Sequence, residues 1–301
     1  MQIEGAHNKH GKGLSIWDDF AHKNLEKIKD RKMLLVTRMN FMRIGNHTCT
    51  IFHFDVPLAL QEEHGGASGI DDEFPYIDFA GRRFRVGKLE NQKVIIVMSG
   101  LSLINAGIST QLLLALFNIK GVVHYGIAGN ANPEFQIGDV TIPQYWAHTG
   151  LWNWQRFGDG TDDELALESV DKTYFEIAKK LEDMTLNGCV NSTTCLPRTP
   201  IVARVSRGIS ASVFVDYSAY REFLYSKFNV TPVEMESAAV ALICHQQRKP
   251  FITIRALYDL AGGGSDVSNE ADIFGSLASE NSVEVVRKFI SLFSHAGSSS
   301  W

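Results

Sequence analysis

The sequence predicts a single three-layer α/β/α domain built on a central mixed, largely parallel sheet. Three observations carry this. From residue 81 onward, apolar runs of strand length alternate with stretches whose apolar residues recur at helical spacing. Runs such as "KVIIVMSG" and "FITIRAL" show little polar alternation, as expected of strands covered on both faces. The chain has 301 residues, 45% of them hydrophobic, enough to bury one large core.

Taken in order, "KVIIVMSG" predicts a buried strand over 93–100 and "NAGISTQLLLALFNI" a helix over 105–119. "GVVHYGIAGNA" (121–131) and "GDVTIPQYW" follow as strands, and "YFEIAKKLEDM" (174–184) as an amphipathic helix. "IVARVSRG" (201–208) is a strand, while "YREFLYSKF" (220–228) and "ESAAVALICHQQ" (236–247) are helices. "FITIRAL" is the last strong strand, and "SVEVVRKFISLF" (282–293) closes the domain as a helix. The first 80 residues read differently. "KMLLVTRMNF" is a candidate opening strand, and the rest lacks a clean period and reads as irregular cover. The chain divides into this segment (1–80), the α/β domain (81–295) and a short tail (296–301).

A net charge of −5 shows no basic excess for nucleic acid. No apolar run approaches the roughly 20 residues of a membrane span. Neither CxxC nor HExxH occurs, so no metal is expected. The absence of GxGxxG between strand and helix argues against a dinucleotide fold, and no cofactor is expected. The first residues lack the apolar core of a signal peptide, which as written reads as cytoplasmic. Two features pull towards a secretory or vacuolar ancestry. Cys189 and Cys195 bracket a loop short enough for a small disulfide ring, and sequons stand at Asn46, Asn191 and Asn229, the last weakened by Pro232. Cys49 and Cys244 read as isolated thiols.

In a parallel sheet, ligands gather at the carboxyl ends of strands. Three strands here run into small residues, "MSGLS", "YGIAGNA" and "LYDLAGGG". Each alone reads first as a tight turn, although glycines also let a ligand approach the backbone. "ITIRALYDLAGGG" is unusual in carrying Arg255 and then Asp259 on a buried strand. In "NVTPVEMESAAVALICHQ", Thr231 could cap a helix starting at Pro232 with Glu234 as its capping-box partner. Alternatively "TPVEM" is a short strand and the helix starts near Glu236. Either way Glu236 sits beside buried apolar residues and needs a partner, and Arg255 is a candidate. The residues alone leave a structural ion pair and a ligand-binding carboxylate equally open. Phe214, in "ISASVFVDYSAY", reads first as core, with stacking on a planar ligand as the alternative.

Together these residues resemble the nucleoside phosphorylase / methylthioadenosine nucleosidase superfamily. "VEMESAAVALIC" followed by "FITIRALYD" is similar to its paired signature, "GIAGNA" to its glycine loop and "SVFVD" to its aromatic base clamp. "HYGIAGNANPEFQIGDVTIPQYWAHTGLWNWQRFG" is especially similar to the plant bark-storage-protein branch. The resemblance spans residues 81 to 293. It implies cleavage of a purine nucleoside's N-glycosidic bond, with Asp259 as proton donor to the base, Glu236 on the ribose hydroxyls and Arg255 as helper. Met235 would pack on the sugar, Phe214 stack on the purine, and the Val215 backbone reach its edge. Leu101, Val233, Gly126, Ala128 and Gly129 would line the rest. It further implies a homodimer or larger homo-oligomer and, in the plant branch, N6-substituted adenine ribosides (cytokinin ribosides); it favours phosphorolysis, with inorganic phosphate as co-substrate, over hydrolysis, and leaves the two unseparated because the residues that distinguish them are the missing ones.

The sequence also departs from the family. "MLLVTRMNFMRIGNH" supplies neither the anion-binding glycine nor the water-activating glutamate of the family's opening strand, and Glu62 and Glu63 do not align. Ile127 stands in place of a Ser or Thr, His124 in place of an arginine, Ser102 in place of a glycine, and Tyr258 in place of a small serine beside the acid. The rival reading is a storage or binding protein that keeps the pocket. A third is a damaged or mis-assembled product whose first 50 or so residues belong elsewhere.

Overall fold

The computed structural model describes residues 76–90, 92–153, 164–262 and 271–296, together with strands at 33–38, 41–42 and 51–52. The strands are β1 (Met33–Arg38), β2 (Phe41–Met42), β3 (Ile51–Phe52), β4 (Tyr76–Phe79), β5 (Arg82–Leu89) and β6 (Gln92–Met98). They continue with β7 (Ile119–Asn130), β8 (Val140–Asn153), β9 (Glu164–Ser169), β10 (Val202–Ser210), β11 (Val230–Glu234) and β12 (Phe251–Leu260). The helices are α1 (Ser102–Leu116), α2 (Lys172–Ala178), α3 (Ser218–Phe228), α4 (Ser237–Gln246) and α5 (Ala271–Ala296).

Ten strands form one mixed sheet in the order β11-β10-β8-β12-β7-β1-β6-β5-β4, with β9 paired to β8. Its middle, β6-β1-β7-β12, is parallel throughout. Strand β11 also pairs antiparallel with β7 at Pro232↔Asn130 and Val233↔Gly129. The five strands β7, β12, β8, β10 and β11 therefore close on themselves.

Helices cover both faces, which is why β7 and β12 are apolar along almost their whole length. On one face, Tyr125 and Val123 of β7 and Ile252 and Ile254 of β12 pack against Tyr174 and Ala178 of α2 and against Val285, Phe289 and Ile290 of α5. On the other, Ile95, Val97 and Val122 pack against Leu113 of α1 and Val240 and Ala241 of α4. This is the expected three-layer arrangement.

Local differences have local causes. Helix α1 stops at Leu116 because Ile119 already belongs to β7, and α2 ends at Ala178 in a 3₁₀ turn, Lys179–Leu181. Helix α5 begins eleven residues before the expected start, with Phe274 and Leu277 burying its first turns in a small separate cluster. The β4–β5 hairpin, which the charged "RRFRVGKL" concealed, turns on Ala80 (φ 48°) and Gly81 (φ 73°). Two left-handed residues in succession match the right-handed twist of the strands they join. Strand β9 also went unread. Cys189 and Cys195 form a disulfide, and Cys244 is a buried free thiol. Cys49, Asn46, Glu62, Glu63 and residues 297–301 of the tail lie outside the described residues, while Ala296 ends α5, and no helix among those described is long and apolar enough to cross a membrane.

Candidate active site

The carboxyl ends of β7, β12 and β11 meet the segment that follows β10 around one cleft of about 350 Å³, its solvent mouth included. Its walls are Ile127, Ala128 and Gly129 from β7, and Tyr258, Asp259 and Ala261 from the end of β12. Val233, Glu234 and Met235 close it from β11, and Val213, Phe214 and Val215 from the segment after β10. Of the residues singled out in the sequence, Asp259, Met235, Phe214, Val215, Val233, Ala128 and Gly129 converge here. Leu101, Gly126, Arg255 and Glu236 are not among the lining residues. Gly126 lies within the sheet opposite Arg255 in register, and Leu101 immediately precedes α1. Phe214 is half-buried, one part of its ring against the core and another on the cleft.

Two glutamates stand at the end of β11. The "TPVE" segment is strand, so the capping box proposed for Thr231 and Glu234 does not form, and α4 starts at Ser237. Glu234 is instead the hub of a buried network. It accepts from Arg255 Nη2 at 2.5 Å, from Ser237 Oγ at 2.9 Å, from the Glu236 and Ser237 amides, and from the Ser210 hydroxyl. Arg255, expected as the partner of Glu236, thus forms its ion pair with Glu234, both side chains being fully buried. It also donates to Ser237 Oγ at 2.7 Å and faces the ring of His124. Burial, then the neighbouring guanidinium, hold the His124 imidazole well below its usual range, so it is neutral. Ser210 and Ser237 were not singled out in the sequence; serines carry no signal until register brings them to a buried charge.

Glu236 is differently placed. It is fully buried and accepts from the Ser102 amide at 2.7 Å and its neighbour's amide, Met235, at 3.2 Å. Burial and the adjacent Glu234 push its carboxyl well above the normal range, while Arg255 and those amides oppose them. Asp259 is pushed up to about 7, first by burial, with a hydrogen bond from Tyr258 opposing and the charge of Asp216 adding. A Cβ at Gly129 would stand 3.1 Å from Asp259 Oδ1, so the carboxyl leans over bare backbone. Among the described residues no three His, Cys, Asp or Glu side chains gather as a metal site.

An α/β/α sandwich with an apolar cleft and a buried-edge carboxyl at the carboxyl ends of its strands is an arrangement suited to a small-molecule ligand. The chain belongs to the phosphorylase superfamily, whose family model matches residues 55–291. Residues 1–44 match a different model, glycosyl hydrolase family 1. Strand β1 falls inside that second stretch, yet it is the strand seated between β6 and β7.

Among curated relatives, bark storage protein A of Populus deltoides is 29% identical over 290 residues, covering 82% of this chain and 91% of its own. The 5'-methylthioadenosine/S-adenosylhomocysteine nucleosidase of Staphylococcus epidermidis is 32% identical over 202 residues, covering 64% and 80% respectively. Among solved structures, the nucleosidase of the same name from Helicobacter pylori, with butyl-thio-DADMe-Immucillin-A, superposes with a TM-score of 0.63 at 18% identity. It spans 86% of this chain and 98% of its own, a likeness of fold.

Proposed function

We propose that this chain cleaves the N-glycosidic bond of purine nucleosides, with Asp259 as the acid. The observation that carries the reading is a carboxyl of pKa about 7 on the wall of an apolar cleft, with Phe214 on the same cleft. The nucleosidase relatives support it. A purine anion is a poor leaving group. The Asp259 carboxyl gives its proton to a ring nitrogen as the C1′–N9 bond breaks, the bonding pair leaves with the base, and the ribosyl carbon becomes cationic. Glu236, with only backbone amides bonded to it so far, is the group assigned to the ribose hydroxyls. Glu234 and Arg255 hold the start of α4 so that Glu236 stays in place.

The attacking group is water or phosphate. The bark-storage resemblance favours phosphate. The described lining favours water, because it presents no cationic side chain to a phosphate dianion. Val213, 62% exposed at the cleft, offers apolar surface to an N6 substituent on adenine. A homodimer is proposed through α1, whose outer face leaves Ile104 75% and Ile108 49% exposed.

A second reading, a storage or binding protein with the pocket retained, is favoured by the bark storage relatives and by Ile127 on the cleft wall. Base release from adenosine, inosine, 5'-methylthioadenosine and N6-isopentenyladenosine, with and without phosphate, decides. Release that needs phosphate identifies a phosphorylase, and release without it a hydrolase. Binding without release from any of them leaves the second reading standing.

A further inference from the structure

At the edge of the sheet opposite the nucleoside cleft lies a second groove, of about 970 Å³ with its solvent mouth included. One wall is the turn from β9 into α2, Ser169 to Lys172; the other is the end of α4 and the start of β12. Phe251, in that second wall, opens β12 eight residues before Asp259, so groove and acid stand roughly 26 Å apart at about 3.3 Å per residue. The walls are fastened together, because the Asp171 amide donates to the Phe251 carbonyl at 2.9 Å. The Asp171 carboxylate in turn accepts from the Tyr174 amide at 2.9 Å and caps α2.

The lining is cationic in a chain whose net charge is −5. Lys172, Arg248 and Lys249 stand there against a single carboxylate, Asp171. His245 is on the wall too, paired at 3.2 Å with Glu168, which is outside the lining. Among the described residues no carboxylate pairs with the three cations, and Lys249 Nζ, bonded to the Ile119 carbonyl at 2.9 Å, keeps two further protons to donate. The backbone gives a second sign. Past the end of α4, Arg248 is left-handed (φ 53°), its amide bonded to the His245 carbonyl at 3.0 Å and the Lys249 amide to the Cys244 carbonyl at 2.8 Å. This is a Schellman ending, in which glycine fills the left-handed position without strain. A guanidinium there is held against the backbone's preference, and the groove is what it lines.

We propose that this groove is a second ligand site, taking a phosphate group, free or carried by a small molecule. Lys172 on one wall and Arg248 and Lys249 on the other give an anion cations from both sides. The guanidinium binds two phosphate oxygens at once, and the ammonium groups add point charge. Pro250 offers apolar surface to a carbon skeleton. The proposal is independent of nucleoside cleavage.

The test is isothermal titration calorimetry on the full chain with inorganic phosphate and with ribose 5-phosphate, at low and high NaCl. One equivalent should bind, several-fold more weakly at high salt. Arg248→Gly and Lys172→Gln should each weaken binding roughly tenfold or more, as loss of a bond to a charged group costs. Arg248→Gly should melt at or above the parent's temperature, since glycine relieves the left-handed position, so its loss of binding is not a loss of fold. Asp259→Asn should bind like the parent. Tighter binding of ribose 5-phosphate identifies a phosphate ester as the ligand, and equal affinities identify free phosphate. The proposal is overturned if neither compound binds, if both groove variants keep the parent's affinity, or if Asp259→Asn abolishes binding and so places the anion in the nucleoside cleft.

Discussion

Glu234 and Glu236 are two positions apart and equally buried, yet their surroundings separate their roles. Glu234 is saturated by a guanidinium, two hydroxyls and two amides, whereas Glu236 is given backbone amides alone. A buried carboxylate with partners in surplus holds structure; one with partners in deficit awaits a ligand. Asp259, by contrast, stands on the cleft wall. Asp259→Asn is expected to lower base release by roughly 10²–10⁴-fold, the usual worth of a positioned acid, with the fold intact by circular dichroism. Release in the parent should fall as pH rises through about 7, because the acid works only while protonated. The same burial affects stability. In the unfolded chain the carboxyl ionises at about 3.9, and in the fold at about 7. Its favourable share is therefore complete below about pH 4 and is lost as pH rises through the folded value. Thermal melts should find Asp259→Asn more stable than the parent at pH 8, with the gap closing near pH 4.

At the scale of elements, the site depends on how strand ends are fastened to the segments beyond them. Gly262 has φ +89°, and a Cβ there would lie 1.9 Å from the Tyr217 amide nitrogen. Only a bare α-carbon lets the end of β12 pack on the segment that carries Phe214, where Arg221 bonds the Gly262 carbonyl. Gly262→Ala should lower the melting temperature and weaken nucleoside binding together, since one displacement separates Asp259 from Phe214. A variant that melts and binds like the parent would show that the two segments are not coupled. The conversion of "TPVE" to strand has a similar origin. Val230, Thr231 and Val233 are β-branched, and β11 finds partners on both sides, β10 and β7, which a helix there would forgo.

For the whole molecule, the described sheet joins sequence that two family models claim. Strand β1 lies in the glycosyl hydrolase match but pairs in parallel with β6 and β7, at the heart of the phosphorylase-type sheet. Backbone pairing asks little of side-chain identity, so the apolar run "MLLVTR" can fill that slot whichever model its sequence matches. The outer face of α1 raises the question of assembly: Ile104 and Ile108 are one turn apart and exposed by 75% and 49%, with Leu242 of α4 exposed by 37%. Ile104→Glu should shift a dimer to monomer in sedimentation velocity while leaving the monomer's stability within about 0.5 kcal/mol, as expected of an exposed site. A parent that sediments as a monomer would remove the dimer proposal.

The sequence alone determined the layer architecture, because alternating apolar periods are local and survive without tertiary information. It also brought Asp259, Glu236 and Phe214 forward, since a carboxyl at a buried strand's end and a ring among small residues are conspicuous in one dimension. The β4–β5 hairpin was illegible because β5 is rich in arginine and lysine and β4 is only four residues long. Which glutamate Arg255 pairs with, and that Tyr258 and Asp259 both line the cleft, only the tertiary structure decided. Both depend on register: a one-residue slip between β7 and β12 moves a side chain to the other face of the sheet, and no composition or spacing within one segment records where its neighbour slips.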